Sequence, residues 1–372
     1  MKSIKKIIAL ALALLMVAAL AGCHGKDEIA ATAGDTTFTS AFYMCALINA
    51  DMQARTKVDE AKAQEKEKED TTSSTTSDAD EEIDYRSQKI EDKPYADWVK
   101  DTAINTLKRF AFVEAKVKEL KIKVEQEAID EYEYYAQYYW SNYGYQSLFE
   151  PNGVSLATYE KYMTYTAYED AYFNYFYGKG GEKEISEADI KAYLSENYVI
   201  VNTLQGSLAD LEDDEAAKLK DKFDSYEKRL KNGEDFKKIY NEHNNIQEDN
   251  TTSSATSDTE QAKPLDELAE VIGKEGTSYA KDYFETVKAM AVGEVKKYSP
   301  KEDDKTLLIF KKGDIMADPY YLENLDETLR YDMKSEEFNK DVDAAAASQQ
   351  ISTIDYAINR FKVEKIVYPE GT

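Results

Sequence analysis

Two tracts, "DTTSSTTSDADEE" at 70–82 and "NTTSSATSDTEQ" at 250–261, set the terms on which this chain can fold. They share the pattern TTSSxTSD. Serine, threonine and aspartate at this density have no apolar surface to bury, so both tracts are expected to be solvated linkers. Any core must come from the three stretches around them. Their likeness points to inserted linkers of one kind, open to O-glycosylation, and not to a structural repeat. At 372 residues the chain is long enough for two domains.

The stretches around the linkers read mostly as helix. "EIAATAGDTTFT" alternates and turns at Gly34-Asp35, which predicts a small hairpin. Thr39 or Ser40 can cap a helix through "AFYMCALINADMQARTKVDEAKAQEKEKE". A second helix, Tyr95 to Lys121, lines up Trp98, Ile104, Leu107, Ala111, Val117 and Leu120. A third covers "EYEYYAQYYWSNYGY" at 131–145, and a fourth follows Ser155 and stops at Gly178. In "SEADIKAYLSENY", Ser186 and Asp189 have capping-box spacing, with Asp in place of Glu. "YVIVNTLQGSL" at 198–208 has strand character, and two helices broken at Gly233 follow it. "KTLLIFKKGDI" predicts a further strand. The last sixty residues predict a long helix and a short strand, "RFKVEKIVY".

The N-terminus carries Lys2, Lys5 and Lys6 and then an apolar run over 7–20, too short to span a membrane comfortably. It ends in Leu20-Ala21-Gly22-Cys23, which resembles the bacterial lipobox: Leu, two small residues, then the cysteine that accepts a diacylglycerol. Residues 1–22 are therefore expected to be a signal peptide, with lipidated Cys23 and a short tether at 23–26. The acyl chains, at about 0.8 kcal/mol per buried methylene, hold the protein at the outer face of a bacterial membrane. Loss of 1–22 removes three lysines, and the net charge of −26 becomes −29. A body this acidic disfavours nucleic acid and anionic head groups as partners. With Cys23 lipidated, Cys45 has no disulfide partner and reads as a small buried hydrophobe.

Metal and cofactor signals are weak, and neither is expected. There is no glycine-rich phosphate loop and no Cys/His spacing suited to zinc. "DLEDDE" at 210–215 lacks the glycine and alternating ligands of a calcium loop and reads as acidic side chains opening a helix. The two histidines are His24, beside the anchor, and His243, read as a capping or surface residue at a helix C-terminus.

The order of elements carries a resemblance. A lipobox, "IAATAGDTTFTSAFY", helices, "SEADIKAYLSENY", a strand, "LKNGEDFKKIYNEH", "VGEV", a closing strand and a C-terminal helix together resemble the PrsA/SurA group of extracytoplasmic foldases. The resemblance implies a predominantly helical α+β fold. In it, a helical chaperone module built from both chain ends encloses a small parvulin-type α/β domain. It places the first part of that module at 27–197, the parvulin-like domain at 198–311 and the returning helix and strand at 312–372. It also implies unfolded or nascent secreted polypeptides as partners. Two departures matter. Active parvulins usually carry one histidine on the first strand and one on the last. Here "VNTL" puts Asn202, and "DKT" puts Thr306, at those places. The glycine-rich segment after the first helices is also missing. Weak or absent prolyl isomerase activity is expected. If a remnant pocket exists, Asn202 and Thr306 should line it, with Phe236 and Phe310 as walls.

The tyrosines remain. The chain has 29, and seven fall in 131–145. On a helix, Tyr132, Tyr135 and Tyr139 form one stripe and Tyr134 and Tyr138 the next. Tyr159, Tyr162, Tyr165, Tyr168 and Tyr172 recur at helical steps in the following helix. They can pack the two helices together with hydroxyls at the solvent edge. They can also hold unfolded chains, since tyrosine offers large area at low entropic cost and one adaptable hydrogen bond. Tyr134, Tyr135, Tyr138, Tyr139, Trp140, Tyr162 and Tyr165 are the candidates for that role. The reading that results is a lipid-anchored extracytoplasmic foldase. The alternatives are a solute- or glycan-binding surface lipoprotein, with tyrosines as sugar platforms, and a structural or adhesin-like surface protein.

Overall fold

A computed structural model describes residues 28–70, 83–246, 264, 266–274, 282–300 and 305–369. Cys23, His24 and residues 71–82 and 250–261 of the two tracts lie outside the described residues. The chain runs β1 (Ile29–Ala33), β2 (Thr36–Thr39), α1 (Ser40–Asp70), β3 (Lys89–Ile90), β4 (Lys93–Pro94), α2 (Tyr95–Leu120), α3 (Gln126–Asn142), α4 (Tyr145–Phe149) and α5 (Leu156–Tyr177). It continues through α6 (Glu187–Asn197), β5 (Tyr198–Ser207), α7 (Asp213–Lys231), α8 (Phe236–His243), β6 (Ala269–Gly273), α9 (Tyr283–Ala289), β7 (Val295–Tyr298) and β8 (Thr306–Lys312). It ends with α10 (Pro319–Ala347), β9 (Ile351–Thr353) and α11 (Asp355–Asn359). The fold is α+β and mostly helical, as the sequence predicts. It divides into two compact units, Met1–Glu182 with Glu336–Thr372, and Lys183–Ser335.

The first unit is built on a three-stranded sheet of order β2-β1-β9. Gly34, at φ +58°, makes the turn that pairs Ala33 with Thr36. On the other edge of β1, Ala31 pairs with Thr353 and Ala33 with Ile351, so the C-terminal strand completes the N-terminal hairpin. Thr39 accepts from the Phe42 amide at 3.2 Å and opens α1. The first turns of α1 are apolar all round, and Phe42, Tyr43, Cys45, Leu47 and Ile48 are all buried. A helix without a polar face belongs inside, and α1 packs against both α2 and α5. Burying each large side chain contributes about 1.5–3 kcal/mol. Lys121, at φ +55°, ends α2, and the Ile122 amide reaches back to the Val117 carbonyl at 2.9 Å. This is a Schellman closure with lysine where glycine is usual.

The strand expected at "RFKVEKIVY" is not there. Residues 360–368 run without a ladder, apart from one short 3₁₀ turn. Val363 and Ile366 drop singly into the core. Side chains, not a neighbouring strand, satisfy the backbone. Asn152 bonds both the amide (2.9 Å) and the carbonyl (2.8 Å) of Val367, and Arg86 donates to the carbonyls of Glu364 (2.6 Å) and Ile366 (3.1 Å).

The second unit centres on an antiparallel sheet of order β6-β5-β8-β7. One face packs Val199, Val201, Leu308 and Phe310 against Tyr283, Phe284 and Val287 of α9. The other packs Leu204, Leu307 and Ile309 against Phe223, Tyr226 and Leu230 of α7 and Phe236 and Ile239 of α8. With both faces covered, β8 reads as an unbroken apolar run, "LLIF", instead of alternating. Gly206 lies under Phe223, where a Cβ would come within 2.7 Å of the ring. Ser186 caps α6 by accepting from the Asp189 amide at 3.1 Å and donating to its carboxylate at 2.6 Å.

Candidate functional site

The tyrosine-rich segment folds as α3 and packs on α5. Ala136 and Trp140 are the buried positions of α3, one turn apart. Trp140 lies 6.2 Å from Phe149 and 5.9 Å from Tyr159. Tyr132 extends this inner stripe and donates to Asp170 at 2.6 Å. Burial and that carboxylate push the Tyr132 phenol upward. Tyr139 is half-buried against the same core, and the remaining tyrosines of α3 face out. Tyr134 is 62% exposed, Tyr138 42%, Tyr135 37% and Tyr143, just past the helix, 61%. Exposure of this extent is informative because the rings are contiguous.

These rings, with half-buried Tyr139 and Tyr145 at their inner margin, form a ladder. Tyr134 stacks on Tyr138 at 6.4 Å, and Tyr135 on Tyr139 at 6.4 Å. Tyr143 closes the end, 5.6 Å from Tyr138 and 5.5 Å from Tyr139, and Tyr145 lies 5.9 Å from Tyr139. Tyr135 donates to Glu131 at 2.9 Å. That bond raises the Tyr135 phenol, and the neighbouring Tyr143 hydroxyl raises Tyr138, so both rings stay neutral at ordinary pH. No lysine or arginine occurs between Lys123 and Lys161, while seven acidic residues do. The surface is therefore aromatic and anionic.

Three of the tyrosine-surface candidates belong to the interior. Trp140 and Tyr165 are 5% and 8% exposed. Tyr165 stacks on Phe110 at 4.4 Å and donates to Glu114 at 3.2 Å. Tyr162 packs between Phe42 (5.6 Å) and Phe110 (5.3 Å). Trp140 and Tyr165 are closed to a partner while the unit is folded, and Tyr162 is half-buried between its two phenylalanines. Helical spacing assigns tyrosines to stripes, but the facing helix decides which stripe is buried. The stripe pattern passes over Tyr143 and Tyr145, which the structure adds to the ladder. The signal for Tyr143 was its step of four from Tyr139.

The four pocket candidates of the second unit are not brought together. Asn202, 4% exposed, points to the α7–α8 face and donates to Asp266 at 3.0 Å. Asn202 pairs with Lys311, whereas Thr306 pairs with Ser207. Five rows of a strand are about 17 Å, and an odd step puts the two side chains on opposite faces. Phe310 packs with α9 on one face, and Phe236 is in the core on the other. A cavity of about 670 Å³ in this unit is lined by Ile185, Tyr193, Asn197 and Met333, among others, and includes none of the four.

His243 is no simple surface cap. Its Nε2 meets the Gln205 carbonyl of β5 at 2.8 Å, and its ring stands edge-on to Phe223 (5.3 Å) and Tyr226 (5.9 Å). It ties α8 to the sheet, and burial lowers its pKa. Cys45 is fully buried in α1, and burial pushes its thiol well up, which makes it unreactive. Asp213, Asp214 and Glu215 occupy the first turn of α7. Among the described residues, no helix is long and apolar enough to cross a membrane.

No protein-family model matches the chain, and no curated protein does. Solved structures do resemble it. The foldase protein PrsA from Streptococcus pneumoniae is 13% identical, with 69% of this chain and 87% of that one covered, at a TM-score of 0.37. PrsA from Bacillus subtilis is 19% identical over 73% and 86%, at 0.31. PrsA from Lactococcus lactis is 13% identical over 69% and 86%, at 0.37. Superpositions this loose transfer neither residues nor activity; the chain is similar to these PrsA foldase structures, and its own fold is likewise mostly helical α+β.

Proposed function

We propose that this protein is a lipid-anchored, extracytoplasmic polypeptide-holding foldase whose isomerase chemistry is weak or lost. The carrying observation is the exposed ladder of Tyr134, Tyr135, Tyr138 and Tyr143 on a unit assembled from both chain ends. Rigid, neutral rings offer apolar area with little side-chain entropy to lose, and each hydroxyl can meet a backbone amide or carbonyl of an unfolded chain. Loss of isomerisation draws support from the sheet register that separates Asn202 from Thr306. Twisting a prolyl amide needs one dry, shaped pocket, and the four candidate residues line none together. The lipobox supports anchoring through Cys23. The acidic body repels copies of itself and so opposes aggregation.

The test is suppression of light scattering by a denatured model protein diluted into buffer with the full chain. Suppression at near-stoichiometric amounts is expected. Loss of at least half of it is expected in the triple variant Tyr134→Ser, Tyr138→Ser, Tyr143→Ser. If the wild-type chain leaves scattering unchanged, the holding role is wrong. Acceleration of proline-limited refolding at substoichiometric amounts would overturn the loss of isomerase activity. Incorporation of labelled palmitate that survives Cys23→Ala would overturn the anchor.

A further inference from the structure

Resting on the polypeptide-holding role of the tyrosine ladder, we infer that the segments it takes are cationic, with arginine or lysine set among apolar residues. Charge complementarity is the first argument. The ladder lies inside a stretch from residue 124 to 160 with no basic residue and with Glu125, Glu127, Asp130, Glu131, Glu133, Glu150 and Glu160. Glu131 and Glu133 are exposed on the ladder's own helix. The whole chain carries −26, which draws basic segments toward it before contact.

Ring geometry is the second argument. The face of a tyrosine ring is electron-rich, and it attracts a guanidinium or ammonium within about 6 Å of the centroid. Tyr134 and Tyr138 lie nearly parallel, 16° apart, with centroids 6.4 Å apart. With the centroids this close, one guanidinium can come within about 6 Å of both at once. The chain itself uses the pairing elsewhere: Arg55 sits 3.8 Å over Tyr368 and 4.7 Å over Tyr85. The ladder presents the same kind of ring to solvent, with carboxylates alongside. An arginine flanked by leucine or phenylalanine would set its cation on the rings and its neighbours on the remaining apolar area. Acidic segments would meet like charge at the same place.

The test uses the full chain and three twelve-residue peptides carrying a neutral dye: alternating Arg and Leu, Gln and Leu, or Glu and Leu. Fluorescence anisotropy reads affinity at low salt and at 0.5 M salt. The arginine peptide is expected to bind at least tenfold tighter than the glutamine peptide, and the glutamate peptide least of all. Tyr134→Leu with Tyr138→Leu and Tyr143→Leu keeps apolar area but removes the rings, and should erase most of that tenfold. Glu131→Gln with Glu133→Gln should weaken the arginine peptide two- to threefold and flatten its salt dependence. Equal affinity for the arginine and glutamine peptides would overturn this inference and leave the holding role standing. No binding of any peptide would overturn both. An arginine preference unchanged in the leucine variant would overturn the assignment to the ladder and leave general charge as the cause.

Discussion

Tyr134 and Tyr138 of α3 and Tyr159 and Tyr165 of α5 come from neighbouring, equally tyrosine-rich helices and end in opposite circumstances. On α5, Tyr159 and Tyr165 are core residues, wedged among Phe42, Phe110, Phe149 and Trp140. On α3, Tyr134 and Tyr138 touch mainly other tyrosines and solvent. The difference is the number of neighbours a helix must satisfy. Helix α5 contacts α1, α2 and α3, whereas α3 meets α5 along one side and the short α4 at its end, and leaves Tyr134, Tyr135 and Tyr138 exposed. A third set uses the hydroxyl itself. Tyr95 donates to the Asp51 carbonyl at 3.1 Å, and Tyr368 to the buried Asp51 carboxylate at 2.6 Å, with Arg55 alongside at 3.3 Å. One residue type thus serves as core, as tie and as surface.

Truncating the core set should be the costliest change. Tyr165→Ala loses a stacked ring and a hydrogen bond to Glu114, and should lower stability by about 3–5 kcal/mol in urea unfolding. A loss under 1 kcal/mol would mean that the region collapses around the gap, and would blur the contrast. Tyr368→Phe should cost about 1.5–3 kcal/mol, because it strips a donor from a buried carboxylate. His243 sharpens the picture through pH. Its pKa is lowered in the folded state, so the unfolded chain binds more protons. Its contribution is fully present above about pH 6.5, the unfolded value, and is lost as pH falls through the folded value. Urea midpoints at pH 7.5 and 6.0 should therefore differ more for the wild type than for His243→Asn. The smallest stability effect belongs to the ladder. Tyr134→Ser, Tyr138→Ser and Tyr143→Ser together should shift unfolding by no more than about 0.5 kcal/mol per site, while abolishing most holding activity. A large stability loss there would make the ladder a structural element.

Local chemistry made much of the fold legible. Gly34-Asp35 announced the hairpin, and Ser186 caps α6 through the amide that its spacing from Asp189 predicts; Ser155 caps α5 as well. Gly233 does separate α7 from α8. These signals were readable because each is settled within a few residues. "RFKVEKIVY" was misread because alternation alone cannot tell a strand from a tail whose apolar residues plug a core singly. Arg86 and Asn152, which replace its ladder bonds, are far away in sequence. The four pocket candidates came from motif positions, and motif positions carry no register. Only the pairing of β5 with β8 reveals that Asn202 and Thr306 sit at different ends and faces. The exposed ladder was half legible: the stripes were, but the choice between them was made by α5.

The pairing of β1 with β9 has a kinetic consequence. Those strands join residues near 31 to residues near 353, so the sheet closes a loop comprising most of the chain. Loop-closure entropy grows only logarithmically, about 0.6 kcal/mol for each doubling of length. Its toll on rate is heavier, because contacts this remote form after local ones. The second unit's sheet joins strands within residues 198–312 and waits on a shorter closure. During synthesis the first unit therefore spends its early life as an open hairpin and a set of helices, with the far edge of β1 unsatisfied. This protein is, for that interval, in the same condition as the chains it is proposed to hold.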